Sequence, residues 1–218
     1  MPDLISLLLE ATLETISMVA VALVLGILCG GPLGVFLATG GKGELLQAPQ
    51  LRTVVAGIVN ATRSVPFIIL AVAIIPFTRF VVGTSIGTAA AVVPLAVAAT
   101  PFLARIVESA LREVDPGLVE AARAMGGRPL AIVWKVLLPE ARPALISGIT
   151  LTAITLIGFS AVVGVIGGGG LGDLGIRYGY QRFRPDVMVA VVLTLIALVQ
   201  GIQMVGDRFA RRLDKRHV

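Results

Sequence analysis

Residues 120–141 read EAARAMGGRPLAIVWKVLLPEA, with three charged side chains in the first nine residues, a Gly-Gly pair and two prolines. This punctuation sets the lengths of what the stretch can form. Just upstream, Asp115-Pro116 is a helix start: an acceptor at the N-cap, then proline at the first helical position, where the missing N–H costs nothing. Gly126-Gly127 supplies the left-handed residue that ends a helix. Residues 116–125 therefore make a helix about 15 Å long, too short for a bilayer. Arg128-Pro129 opens a second helix over 129–138, stopped by Pro139. The segment 115–141 reads as two short helices joined at a glycine corner and lying at a membrane surface.

The rest of the chain is apolar. Its 218 residues are 56% hydrophobic and 14% charged, with a mean hydropathy of +0.96; an ordinary soluble domain is about 45–50% apolar and about 25% charged. Residues 15–41, 80–104, 143–172 and 187–206 contain no Asp, Glu, Lys or Arg, and residues 53–78 carry only Arg63. Each gap is long enough to cross a bilayer, which takes roughly 20 apolar residues. The expectation is one all-α membrane domain over 1–218, with spans near 13–39, 53–80, 84–108, 143–166 and 187–207. Asp3, Glu10 and Glu14 precede the first basic residue, Lys42, so the first span is read as retained and not as a cleaved signal. Cys29 has no partner for an intrachain disulfide and is read as packing.

Basic residues choose the orientation. Lys42 and Arg52 follow span one, Arg105, Arg112, Arg123, Arg128, Lys135 and Arg142 lie between spans three and four, and Arg208, Arg211, Arg212, Lys215 and Arg216 follow span five. Only Arg79, Arg177, Arg182 and Arg184 fall on the other side. The N-terminus is expected outside, with the 115–141 insert and the C-terminus in the cytoplasm. The net charge of +5 then calls for no nucleic-acid partner, and the tail RFARRLDKRHV reads as a basic cytoplasmic rim facing anionic lipid. His217 has no second ligand nearby, so no metal site is read.

Within the insert, Leu118, Val119, Ala122 and Met125 follow the spacing of an apolar stripe, with Glu120 and Arg123 opposite. A DNA-binding helix-turn-helix is a poor reading so close to membrane spans. A surface-lying amphipathic pair and a docking knob for another protein remain. Here the residues carry a resemblance: Glu120, Ala121, Ala122, then Gly126, then Leu138-Pro139 resemble the EAA motif of ATP-binding-cassette importer permeases, E-A-A-x3-G-x9-I-x-L-P. Val136 stands where the pattern has Ile. The stretches IVNATRSVPFIILAVAIIPFTR (58–79), VGTSIG (82–87) and GGGGLGDLGIRYGY (167–180) are similar to permeases of methionine importers, and the likeness extends over nearly the whole chain.

The resemblance implies a type I importer permease fold in a bacterial plasma (inner) membrane, working as a homodimer with two cytoplasmic ATPase subunits and an external solute-binding protein. ATP and Mg would be held by the partner ATPase, and no cofactor by this chain. Glu120, Ala121, Ala122, Gly126, Val136, Leu138 and Pro139 would form the coupling segment. Arg63, Ser64, Pro66, Ser160, Gly167, Gly168, Gly169 and Gly170 are candidate pathway or gate residues, and Tyr178 and Tyr180 candidate docking contacts. The chain has no P-loop of its own: around Gly41-Lys42, Phe36 and Gly43 replace the required Gly and Ser/Thr.

Several features keep two readings. Gly26, Gly30 and Gly34 permit close helix approach, within or between subunits. Pro94 and Pro101 should kink span three. Arg63 either snorkels from a span that begins near Ser64 and Pro66 or lines the inner mouth. The seven glycines of 164–175 should form a loop, since each costs about 1 kcal/mol in a helix. The strings Gly170-Leu171-Gly172-Asp173 and Gly158-Phe159-Ser160 resemble protease motifs but lack the second Asp or the His that such sites need. A secondary transporter would want an intramembrane ion-coupling group, and only Arg63 offers one. Within the importers, an osmoprotectant is the alternative solute.

Overall fold

The computed structural model describes residues 4–213, which form helices and turns with no strand among them; Lys215, Arg216 and His217 lie outside the described residues. Helix α1, Leu4–Thr39, is 36 residues long, about 54 Å at the usual rise, and starts well before the expected span. Its main partner is α5, Thr88–Arg112. The three small residues of α1 explain that pairing. A Cβ on Gly30 would lie 2.4 Å from the Thr100 carbonyl oxygen, and one on Gly34 2.5 Å from that of Ala104. The Gly-x-x-x-Gly pattern is thus used for packing inside the subunit. α5 runs as one helix through Pro94 and Pro101, both buried.

The expected second span is not one helix, which corrects the reading of residues 53–80. It comprises α2, Pro49–Ser64, α3, Phe67–Ala73, and α4, Ile75–Val82, and the axes of α2 and α3 bend by 101°. Proline disfavours helical backbone in the residue before it, and Val65 is extended (φ −82°, ψ 126°). Among the described residues, four helices are long and apolar enough to cross a membrane, and α2 with α3 supply a fifth only as a bent pair.

The insert consists of α6, Pro116–Ala124, α7, Pro129–Ile132, a π-helical stretch, Val133–Leu137, and α8, Leu138–Glu140. Pro139 does not stop the helix as expected. The wide turn before it absorbs the missing N–H, with the Leu138 amide donating five residues back to Val133. The chain then passes through Ala141 into α9, Arg142–Val165.

The glycine run is also more ordered than expected. Only residues 166–169 form a turn before α10, Gly170–Leu174, a π-helical stretch, Gly175–Tyr180, and finally α11, Pro185–Leu213. The glycines let α10 fold back onto α9: a Cβ on Gly164 would lie 2.5 Å from the Asp173 nitrogen, and one on Gly172 2.4 Å from the Ala161 Cα. That contact replaces the helical stability the glycines forfeit. The central core joins Met18, Ala22, Leu95, Leu103, Leu156 and Ile157, and Phe67 stacks on Phe159 with ring centroids 4.2 Å apart.

Candidate functional site

The insert is built as a knob. Asp115 caps α6 by accepting from the Gly117 amide at 2.8 Å, and Gly126 (φ +78°) turns the corner. The Gly127 amide donates to the Ala122 carbonyl at 3.0 Å. The expected apolar stripe divides. Ala122 is buried and Val119 half-buried, while Leu118 and Met125 face outward together with Leu130 and Trp134. Met125 is 83% and Trp134 70% exposed, so an apolar surface surrounds the corner with none of the described residues covering it. Of the motif residues, Glu120, Ala121 and Gly126 are exposed and Val136, Leu138 and Pro139 half-buried. Leu137, not among the expected residues, is the buried anchor, packed with Val107, Leu111, Val114 and Val133.

The knob is wired to three long helices. Arg123 of α6 donates through both guanidinium NH2 groups to the Gly43 carbonyl at 3.3 Å, in the loop between α1 and α2. In the same loop Glu44 accepts from Arg112 at 3.3 Å. Arg112 also reaches Glu108 at 3.3 Å. The Glu108 side chain is 7% exposed and binds Arg52 at 3.1 Å and Arg105 at 2.5 Å as well. Arg52 donates to the Leu37 carbonyl at 2.8 Å and Arg105 to Asn60 Oδ1 at 2.7 Å. One carboxylate thereby joins the insert-side ends of α1, α2 and α5. Charge counting assigns these arginines to the cytoplasmic side and Glu108 to the end of a span, without pairing them. The available signal was the Arg105, Glu108, Arg112 spacing, which puts all three on one helical face.

The candidate mouth and gate residues fall into two places. Arg63 lies over the Phe102 ring, 5.6 Å from its centroid, and lines a cavity of about 190 Å3 with Thr62, Val65, Phe67 and Phe159. Ser64 and Pro66 flank the elbow and are exposed. Ser160 is 2% exposed and donates to the Ile157 carbonyl at 2.7 Å, so its hydroxyl is spent within its own helix. Gly167 to Gly170 sit elsewhere: the Gly167 carbonyl accepts from the Gly87 amide at 2.8 Å, about 22 Å along α5 from Phe102. This turn is pinned to α1. Glu14 accepts from the Gly170 amide at 2.7 Å and Thr15 from the Leu171 amide at 2.9 Å. Tyr178 packs against Arg182 at 4.4 Å, and Tyr180 is 68% exposed.

Glu14, which charge counting had treated only as a sign against a signal peptide, is thus the cap of α10. Glu14→Ala is expected to leave the Gly170 amide unpaired, at a cost of about 1–3 kcal/mol. Thermal unfolding should show the loss, and amide exchange should quicken in residues 167–171 while the insert stays protected. Unchanged exchange in the turn would mean that Glu14 does not hold it.

Comparison with known proteins places this architecture. The family model for the inner membrane component of binding-protein-dependent transport systems matches residues 30–217. The probable D-methionine transport system permease protein MetI of Vibrio cholerae is 53% identical over 210 residues, covering 96% of this chain and 93% of its own. The methionine import system permease protein MetP of Bacillus subtilis is 48% identical over 175 residues, 80% of this chain and 79% of its own. A chain in an inward-facing structure of the MetNI methionine ABC transporter superimposes with a TM-score of 0.96 at 48% identity, covering 99% of this chain and 100% of that one. With the family model matching most of the chain, and relatives this similar along most of their own length, the protein belongs to the inner membrane permeases of binding-protein-dependent ABC transport systems.

Proposed function

We propose that this chain is the permease of an ATP-driven importer of methionine. The observation that carries the mechanism is the knob: an exposed apolar surface of Leu118, Met125, Leu130 and Trp134 around a rigid glycine corner, tied through Arg123 and Glu44 to Glu108. The names of the similar relatives support methionine as the solute. In this reading two copies enclose the path, the knob of each sits in a cytoplasmic ATPase subunit that binds ATP and Mg, and an external binding protein delivers the solute. The N-terminus lies outside and the insert in the cytoplasm. Closure of the ATPases pushes α6. The push passes through the 40–48 loop to α1, α2 and α5, and the elbow at Val65-Pro66 lets α2 move relative to α3, switching access from one side to the other.

The test is uptake of labelled methionine into cells lacking their own importer and supplied with this chain, its ATPase and its binding protein. Energy-dependent accumulation that excess unlabelled methionine abolishes is the expected result. Glu120→Ala and Gly126→Asp should insert normally yet lower uptake several-fold, because both alter the exposed knob; Asp tolerates the left-handed backbone better than most residues. Normal ATP-driven uptake by both variants would overturn the coupling role. ATPase association without methionine uptake would leave the importer class standing and transfer the solute to another small polar molecule, such as an osmoprotectant.

A further inference from the structure

Toward the insert-side end of the bundle, α9 and α11 approach closely at one position and stand apart at another. A Cβ on Gly206 would lie 2.1 Å from Thr150 Oγ1, whereas one on Gly201 would meet nothing within 4 Å. The divergence leaves an outward-opening groove of about 460 Å3, floored by Leu23 of α1 and walled by Ile146 and Ala153 on one side and Val205 and Phe209 on the other. The one hydroxyl on it, Thr150, already donates to the Ile146 carbonyl at 2.8 Å. The groove is therefore apolar throughout, a lining suited to a hydrocarbon chain.

Helix periodicity places a cation at the same end of each wall. Arg142 precedes Ile146 by four residues and Arg212 follows Phe209 by three, spacings that keep each on its groove face. Both arginines are exposed. Among the described residues no carboxylate pairs with Arg142, Arg208 or Arg212, whereas Arg52, Arg105, Arg112, Arg177 and Arg184 each have one.

We propose that this groove is a site for one anionic membrane phospholipid, with an acyl chain between α9 and α11 and its phosphate between Arg142 and Arg212. An apolar slot between two helices that each carry an exposed arginine without a carboxylate partner on the groove-facing side, toward the insert-side end, complements that molecule at both ends. The proposal requires only that the chain spans a membrane and does not depend on the solute carried.

The test uses the full chain carrying Trp134→Phe and Phe209→Trp, so that its only tryptophan lies in the groove, reconstituted in phosphatidylcholine vesicles. Brominated phosphatidylglycerol and brominated phosphatidylcholine are then compared as quenchers. Brominated phosphatidylglycerol is expected to bind preferentially, by about five-fold for each arginine engaged. Arg142→Gln with Arg212→Gln should remove the preference while quenching by brominated phosphatidylcholine persists, which also shows that the variant is inserted. Gly201→Leu, filling open space, should weaken the preference without touching an arginine. Equal quenching by the two lipids in the parent chain would overturn the proposal in favour of an unselective lipid annulus. Absence of quenching by either would overturn it in favour of a protein-covered face.

Discussion

Gly30→Val is expected to prevent stable folding of the chain, while Gly31→Val, one residue on, should leave it nearly untouched. The added Cβ at position 30 would sit 2.4 Å from the Thr100 carbonyl oxygen and 3.1 Å from the Leu103 Cβ. The first of these is backbone and cannot rotate away, so α1 and α5 must separate along the largest helix pair in the molecule. Overpacking a core costs about 1–3 kcal/mol and sometimes more. In lipid the penalty is not offset by a hydrophobic gain, because helix association there rests on close packing. A loss of at least about 3 kcal/mol follows, at the upper end of that range. A Cβ on Gly31 meets nothing within 4 Å. Melting of detergent-solubilised protein, followed by size-exclusion chromatography, separates the two variants; equal behaviour would show that α1 and α5 do not meet at Gly30.

Glu108→Ala is the second large effect. It leaves Arg52, Arg105 and Arg112 with no shared anion, and removing one partner of a buried ion pair costs about 3–5 kcal/mol. The three guanidinium groups are 24–42% exposed, so water recovers part of that and about 2–3 kcal/mol is expected. Glu108→Met combined with Arg105→Met should recover part of the stability, since an apolar pair strands fewer cations. Uptake should fall in Glu108→Ala beyond what reduced protein level explains, while ATP hydrolysis by the complex continues, because the network links the knob to α2. Melting and transport both at the parent level would remove Glu108 from the mechanism.

Much of the fold was legible because its signals are local. Charge-free gaps located the long helices, and Asp115-Pro116 with Gly126-Gly127 bounded α6 to within a residue. Pro66 marked a boundary, though not the 101° bend it permits. Where packing decides, local rules misled. An isolated proline breaks a helix, so Pro139 reads as a stop, yet a π turn carries the chain through it. Glycine weakens helices, so the glycine run reads as a loop, yet its missing side chains are what let α10 lie on α9. The solvent-facing side of α6 with Glu120 and Arg123 was likewise readable. Leu118 and Met125 were not readable as outward-facing, since periodicity defines a stripe without saying how much of it the chain itself covers.

A membrane-spanning helical bundle, the insert with its caps and corner, and the resemblance to the family are legible in the chain alone. Each follows from residue chemistry and spacing over about twenty positions, the range over which one helix repeats. Packing alone brings Arg52 to Glu108 from 56 residues away, sets Glu14 as the cap of Gly170 from 156 residues away, and bends α2 and α3 into an elbow. Charges paired across such separations find each other only after helices with no local knowledge of one another have packed, and that packing is settled by shape at positions such as Gly30, where one methyl group would hold two helices apart.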